Sequence, residues 1–428
     1  MKHKKTASLT VDFSRPSKNQ TTFGKRTFYD SVSFCNRCGS CTQACPIYRL
    51  SGTETDSPRG RNQAIRLVLE RKLKPAEPAL QRSFAACTLC GNCTQTCAGH
   101  LPTAQHVLAF QRASRPRKLP ALLCALLTLR ERKPKLFEKI VRAGLYLRLF
   151  WRPCAHLPGF YWLKAVSKRV SGPIIPLKKA LEKAQLTLVG NAPKFIYLPS
   201  LEAEFLQPQI AVSSLRLLAR RGKTACWFNT ACGLFEYVYG DLRQSKRLLC
   251  RLIRKHRRLN NGNLPLVTDS LDVYHFLKQA PQLFAHRKRA AQAAAQFAQS
   301  VRFITEFFPK KFAVSADVKL PVRLDLGTLF CRQSEPQTKS ILLFKTLFKQ
   351  NFVECEYTDF DTPAFGYAFS AGNQNEPLML QVVKQIAREQ TKTVFTFSGL
   401  CALELNLALR RFYPAAKAQH IVSVTDKL

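Results

Sequence analysis

Acidic residues are scarce in this chain of 428 residues. Its 27 Asp and Glu face 67 Lys and Arg, a formal charge of +40. Such a surface attracts phosphate, nucleic acid, acidic proteins or an anionic leaflet, but a lysine- and arginine-rich composition produces the same balance. Long apolar runs are missing too. No stretch of about 18 uncharged apolar residues occurs, which speaks against a transmembrane helix. The start, MKHKKTASLTVDFSRPSKNQ, is basic without an apolar core, so no secretory signal is expected. Neither G-x-G-x-x-G nor G-x4-G-K-[ST] is present, which removes local support for nucleotide binding. Helix-turn-helix, RNA-recognition and zinc-finger signatures are also missing, and with them the support for a nucleic-acid-binding protein. No convincing Ser-His-Asp set is visible, so no catalytic residue is assigned. The expected location is the cytoplasm, with peripheral contact at the inner face of the membrane.

What is present is enough apolar material to fold, at 46% of residues with 10% aromatic, over a length that allows two or three domains. Of 16 cysteines, eight fall in two runs, CNRCGSCTQACP (35–46) and CTLCGNCTQTCA (87–98). In a long chain without an export signal these are ligands rather than a disulfide framework. Both runs follow C-x2-C-x2-C-x3-C. Three closely spaced thiolates wrap one cubane, and the fourth points away to the other cluster. The spacing therefore predicts two [4Fe-4S] clusters, one on Cys35, Cys38, Cys41 and Cys97, the second on Cys87, Cys90, Cys93 and Cys45. Zinc would need only paired C-x2-C and gives no reason for the third and fourth cysteines of each run. Gly39 and Gly91 suit loops whose amides approach cluster sulfurs. Pro46 has no counterpart at Ala98.

Between the runs, Ser57 is expected to cap a helix with Pro58 at its first position, Ile65, Leu67, Leu69 and Leu73 giving apolar surface. HLPTAQHVLAFQRAS reads as a second helix, with His100 at a helix start and His106 on a solvated face rather than as ligands. Cluster loops joined by helices indicate a helical ferredoxin. Arg37, Arg59 and Arg61 lie near the runs, where positive charge would raise a cluster potential; simple solvation or contact with a partner is the equal alternative. From Leu119 to Val166 basic and apolar residues alternate, with Phe137, Ile140, Val141 and Leu145 at helical spacing beside Trp151, Tyr161 and Trp162. A membrane-interface helix has this form, although packing onto the body or a partner is the reading preferred here. Beyond Pro193, KFIYLPS, TACWFN, LPLVTDS, PVRLDLG and KTVFTFSG read as strands. SSLRLLARRG, GDLRQSKRLLCRLIRKH, AAQAAAQFAQSVRFITEFF and LMLQVVKQIARE read as helices, an α/β layout with a two-fold internal repeat.

CNRCGSCTQACPIYRLSGTETDSPRGRNQAIRLVLE resembles the iron–sulfur subunit family of glycolate oxidase, a two-cluster ferredoxin joined to two cysteine-rich CCG domains shared with heterodisulfide reductases. TACGLFEYVYGDLRQSKRLL resembles the family's CCG segment, and SGLCALELN its closing cysteine segment. The resemblance implies an α+β multidomain fold. Its parts are a basic arm (1–30), a helical ferredoxin (31–115), a basic amphipathic linker (116–190) and two α/β CCG-type repeats (191–312 and 313–428). It places the first repeat's leading family cysteine at Leu201, its Cys-Cys-Gly at Ala231, Cys232 and Gly233, and its later cysteine at Val273. In the second, the leading cysteine falls near Thr328, the Cys-Cys-Gly at Thr362, Pro363 and Ala364, and the last cysteine at Cys401. Only Cys232 and Cys401 remain, read as small buried residues, so both repeats are degenerate and neither has a full ligand set. By the same resemblance, the chain is an electron-transfer subunit of an oxidoreductase. It takes electrons from an FAD-containing 2-hydroxy-acid dehydrogenase and passes them to a membrane-side acceptor such as the quinone pool, with no nucleic acid as partner. Lactate-utilisation, glycerol-3-phosphate dehydrogenase and heterodisulfide-reductase-like systems share these modules and are the alternatives.

Overall fold

The computed structural model describes residues 19–21, 24–26, 28–114, 193–220, 225–228, 230–239, 241–259, 262–285, 287–309, 318–327, 334–354 and 375–425, with isolated positions between. The basic alternation at 119–166 and the second repeat's motif at Thr328 and Thr362–Ala364 lie outside the described residues. The described structure combines a helical N-terminal part with parallel sheets, an α+β fold.

A short antiparallel pair, β1 (Asn19–Thr21) and β2 (Gly24–Arg26), precedes seven helices. These are α1 (Phe28–Ser33), α2 (Ser40–Gln43), α3 (Pro46–Ser51), α4 (Pro58–Leu69), α5 (Pro78–Ala86), α6 (Asn92–Gln95) and α7 (Thr103–Ser114). The predicted cap forms: the Gly60 amide donates to the Ser57 hydroxyl at 2.9 Å, with Pro58 at the first helical position. This satisfies one of the four orphan amides of the helix start. Ile65 is fully buried, whereas Leu67, Leu69 and Leu73 are half-buried. Phe84 of α5 and Phe110 of α7 pack with ring centroids 4.2 Å apart, closing a small core under the helices.

The C-terminal part holds two four-stranded parallel sheets. The first comprises β3 (Phe195–Leu198), β4 (Ala225–Trp227), β5 (Leu266–Thr268) and β6 (Val301–Phe303), in the order β4-β3-β5-β6. The second comprises β7 (Val322–Asp325), β8 (Phe352–Val353), β9 (Thr393–Thr396) and β10 (Lys417–His420), in the order β8-β7-β9-β10. In each sheet the first strand of the set lies between the second and third. The five strands read from sequence all form, and the residues of β3, β5, β7 and β9 are wholly buried, as strands covered on both faces must be. Three further strands were not legible. Val301–Phe303, read as the end of a helix, is β6: the helix Lys288–Ser300 stops at Ser300 and the chain turns extended at Val301. Strands β6, β8 and β10 all lie at sheet edges, where short length and one-sided burial leave no continuous apolar run.

The carboxyl ends of the two sheets meet. Ser398, after β9, donates to Glu202, after β3, at 3.1 Å, and the Gln207 side chain donates to the Gly399 carbonyl at 2.7 Å. The Leu271 amide donates to the Phe397 carbonyl at 3.2 Å, and the His420 ring meets the Asp269 carbonyl at 2.9 Å. The N-terminal part docks at two points. The Arg112 guanidinium at the end of α7 donates to the Tyr237 carbonyl and lies over its ring, 3.9 Å from the centroid. Leu378, on the helix Asn375–Arg388, packs with Cys45, Ile47 and Ala86.

Candidate functional site

Each cysteine run folds into the same turn. In the first, Arg37 (φ 56°) and Gly39 (φ 88°) are left-handed; in the second, Leu89 (φ 55°) and Gly91 (φ 80°) are their counterparts. A left-handed non-glycine residue is strained. Its recurrence two residues after the first cysteine of each run shows a backbone imposed by the site. Gly39 and Gly91 lead into α2 and α6, where Cys41 and Cys93 sit. The exits differ. Cys45 caps α3, with Pro46 launching the helix, whereas the chain after Cys97 makes a turn closed by the His100 amide on the Cys97 carbonyl at 2.8 Å. Helix α7 starts only at Thr103, so Ala98 stands where no helix begins and a proline has no function.

The eight thiols are divided between two adjoining cavities. One, of about 170 Å³, is lined by Cys35, Cys38, Cys41 and Cys97, with Arg37, Arg59 and Asn62. The other is lined by Cys45, Cys87, Cys90 and Cys93, with Arg61, Leu89 and Val107. Cys93 and Thr103 line both. The fourth cysteine of each run thus lines a cavity with the first three of the other run. Among the described residues no three His, Cys, Asp or Glu side chains converge closely enough to hold one metal ion. Rings of four thiols about a cavity suit a multi-iron cluster whose own body separates its ligands.

The two cavities differ in exposure. Cys38 is exposed, and its thiol is pulled below the ordinary range chiefly by the hydroxyl of Ser40, 3.3 Å away. Cys45 and Cys93 are buried. Burial pushes Cys41 and Cys90 up to about 12 and Cys93 well above its usual value, the neighbouring thiols adding to the rise. These thiols hold their protons until a metal displaces them.

Charge and hydrogen bonds around the cavities come from α4 and α7. Arg59 pairs with Glu54 at 2.7 Å and donates to the Arg37 carbonyl at 3.2 Å, strapping the first loop. Arg61 is 1% exposed, donates to the Ser83 carbonyl at 3.0 Å and lies 3.7 Å from Asp56, so its charge is held in the wall of the second cavity. His106 does not face solvent. It is fully buried, 2.9 Å from the Ser31 hydroxyl and 3.1 Å from the Asn62 carbonyl oxygen, and Asn62 donates to Thr103 at 3.1 Å. Burial lowers the His106 pKa to about 3, which keeps the ring neutral. Thr103, His106, Val107 and Phe110 recur at i, i+3, i+4 and i+7, and that period alone places His106 on the buried face. His100 is exposed and precedes α7, as expected.

In the C-terminal half, Leu201, Ala231, Cys232, Gly233 and Val273 line a single small cavity with Ser200, Glu202 and Glu236. The positions assigned to the family's cysteines are therefore neighbours in space, but they supply one thiol. Cys232 is half-buried rather than buried; Cys401 is 2% exposed, with its Sγ 4.0 Å from the Gly327 carbonyl. Burial, then the carboxylates of Asp272, Asp325, Glu404 and Glu202, push the Cys401 thiol well above its usual range.

Residues 31–101 match the 4Fe-4S dicluster domain family, so this segment is similar to ferredoxin-like dicluster domains. The resemblance read in its cysteine runs is matched by curated proteins, for the chain is similar to glycolate oxidase iron–sulfur subunits. It is 30% identical over 211 residues to the glycolate oxidase iron-sulfur subunit of Escherichia coli (strain K12), covering 47% of each chain. It is 37% identical over 79 residues to the probable glycolate oxidase iron-sulfur subunit of Bacillus subtilis (strain 168), covering 18% of each. The chain spans about half the length of the first of these and less than a fifth of the second. No solved structure matches. No helix among the described residues is long and apolar enough to cross a membrane.

Proposed function

We propose that this chain is the electron-transfer subunit of a glycolate-oxidase-type complex. It binds two [4Fe-4S] clusters, one on Cys35, Cys38, Cys41 and Cys97 and the other on Cys87, Cys90, Cys93 and Cys45. An FAD-containing partner oxidises a 2-hydroxy acid, and this chain relays the two electrons singly to a membrane-side acceptor. When bound, a [4Fe-4S] cluster supplies a one-electron couple. The chain's own residues hold it, exclude water and tune its potential. The crossed thiols and the two left-handed loops orient the ligands, while the apolar wall of Leu89 and Val107 dries the inner cavity. The observation that carries the reading is the pair of adjoining cavities sharing Cys93 and Thr103, since electron exchange requires short separations. The C-terminal half, with one thiol at its cavity, serves as a scaffold.

Protein purified without oxygen is expected to contain about eight irons with matching sulfide and no zinc. Cys97→Ser and Cys35→Ser should each remove the same EPR species and leave about four irons, and Cys45→Ser should remove the species lost in Cys87→Ser. Zinc in place of iron, or Cys97→Ser grouping with Cys87→Ser, would overturn the assignment.

A further inference from the structure

The helix Leu242–Arg258 places Arg243, Arg247, Arg251, Arg254 and Arg258 on its exposed side, at spacings of four, four, three and four. That spacing keeps them on one face, and fifteen steps of about 1.5 Å rise make a stripe about 22 Å long. The opposite face, Leu248, Leu249, Leu252 and Ile253, is buried, so the stripe is held facing outward. The helix contains no acidic residue; the Asp241 carboxylate before it is occupied by the Gln244 amide at 2.9 Å.

A lysine- and arginine-rich composition does not account for this. Like charges at i, i+4 destabilise a helix, and cations near its amino end oppose the dipole. Elsewhere the same chain uses mixed pairs at that spacing: Arg66 with Glu70, Arg302 with Glu306, Lys339 with Glu335. Here it sets three like pairs at that spacing, joined by one at i, i+3. The basic area also widens: Arg287, Lys288 and Arg289 are exposed at the start of the adjacent helix Lys288–Ser300, and Lys246 is held below its ordinary pKa by burial and then by Arg287 and Arg112.

We propose that this face docks on an anionic phospholipid surface. Its area is a patch, suited to a plane of phosphates. The helix carries no aromatic side chain on which bases could stack. With its apolar side committed to the core, it adsorbs by charge and does not insert. The inference deepens the membrane-side part of the proposed function and does not depend on cluster occupancy. Iron and sulfide measured on the same samples keep the two readings apart.

The test is co-sedimentation of the full chain with phosphatidylcholine vesicles, with and without about 30 mol% phosphatidylglycerol. Wild type should bind the anionic vesicles only, and more weakly as salt rises. The variant R243Q/R247Q/R251Q/R254Q/R258Q should bind about a hundredfold more weakly while keeping its iron and circular dichroism spectrum. A control removing five exposed cations elsewhere, K74Q/R82Q/K349Q/K384Q/K417Q, should bind within about threefold of wild type. Equal binding by the stripe variant, or equal loss in the control, overturns the proposal. So does a wild-type protein that ignores the vesicles and binds duplex DNA through the same arginines.

Discussion

Thr103 lines both cavities, and its hydroxyl accepts from Asn62, which leaves its own proton to donate elsewhere. Behind it, the neutral His106 and Ser31 hold Asn62 in place. Hydrogen bonds toward cluster sulfur raise a potential. Thr103→Val, nearly isosteric, is therefore expected to lower the midpoint potential in a redox titration with iron content unchanged. An unchanged potential would reduce the Ser31–His106–Asn62–Thr103 chain to packing. Arg61 acts on the same couple through its buried charge, and Arg61→Gln should also lower the potential, chiefly that of the species lost in Cys87→Ser. The grouping of the cysteines about two cavities follows the spacing of the runs, a local pattern that needs no fold to be seen. His106 and Arg61 were misread or undecided because their burial depends on which side of α4 and α7 meets the rest of the domain.

At the scale of elements, the joint between the two sheets concentrates buried carboxyls after β3 and β5. Burial, then the repulsion of Asp269, raises Glu202 to about 7, and burial raises Asp269 to about 6 although Tyr197 and Ser200 donate to it. The folded state holds these protons more tightly than the unfolded chain, so stability is fully present below the unfolded carboxyl range and is lost as pH rises toward 7. Denaturation midpoints should fall between pH 5 and pH 8, and Glu202→Gln, which keeps a partner for Ser398, should flatten that dependence. Gly399 stands at the same joint because a Cβ there would lie 2.7 Å from both Glu202 Cγ and Ile210 Cδ1. Gly399→Ala is expected to cost about 1–3 kcal/mol in chemical denaturation, as overpacking does. The central strands of both sheets could be read from their continuous apolar runs. The edge strands β6, β8 and β10 could not, because pairing with a neighbour rather than their composition makes them strands.

For the whole molecule, the question is how the dicluster domain is held to its scaffold. Leu378 is 1% exposed against Cys45 and Ile47, and Arg112 reaches the Tyr237 carbonyl. Leu378→Ala should destabilise the chain by about 2–5 kcal/mol. Because it opens the wall beside Cys45, it should also speed iron loss to a chelator, and to a greater degree than Gly399→Ala. Similar chelation rates in the two variants would mean that the joint near Cys45 does not guard the inner cavity.

By itself the sequence carries two C-x2-C-x2-C-x3-C runs, from which the cofactor class and a crossed sharing of ligands are expected, and, at the positions the resemblance assigns in the C-terminal half, too few thiols for a ligand set. Ligand number and spacing are local properties, and a missing thiol needs no fold to be missed. Only the tertiary structure decided that Leu201, Cys232 and Val273 surround one cavity, that His106 and Arg61 are buried beside the thiols, and that the two sheets meet at their carboxyl ends. These facts depend on which distant segments touch, and long-range contact follows from packing of the whole chain rather than from any local pattern.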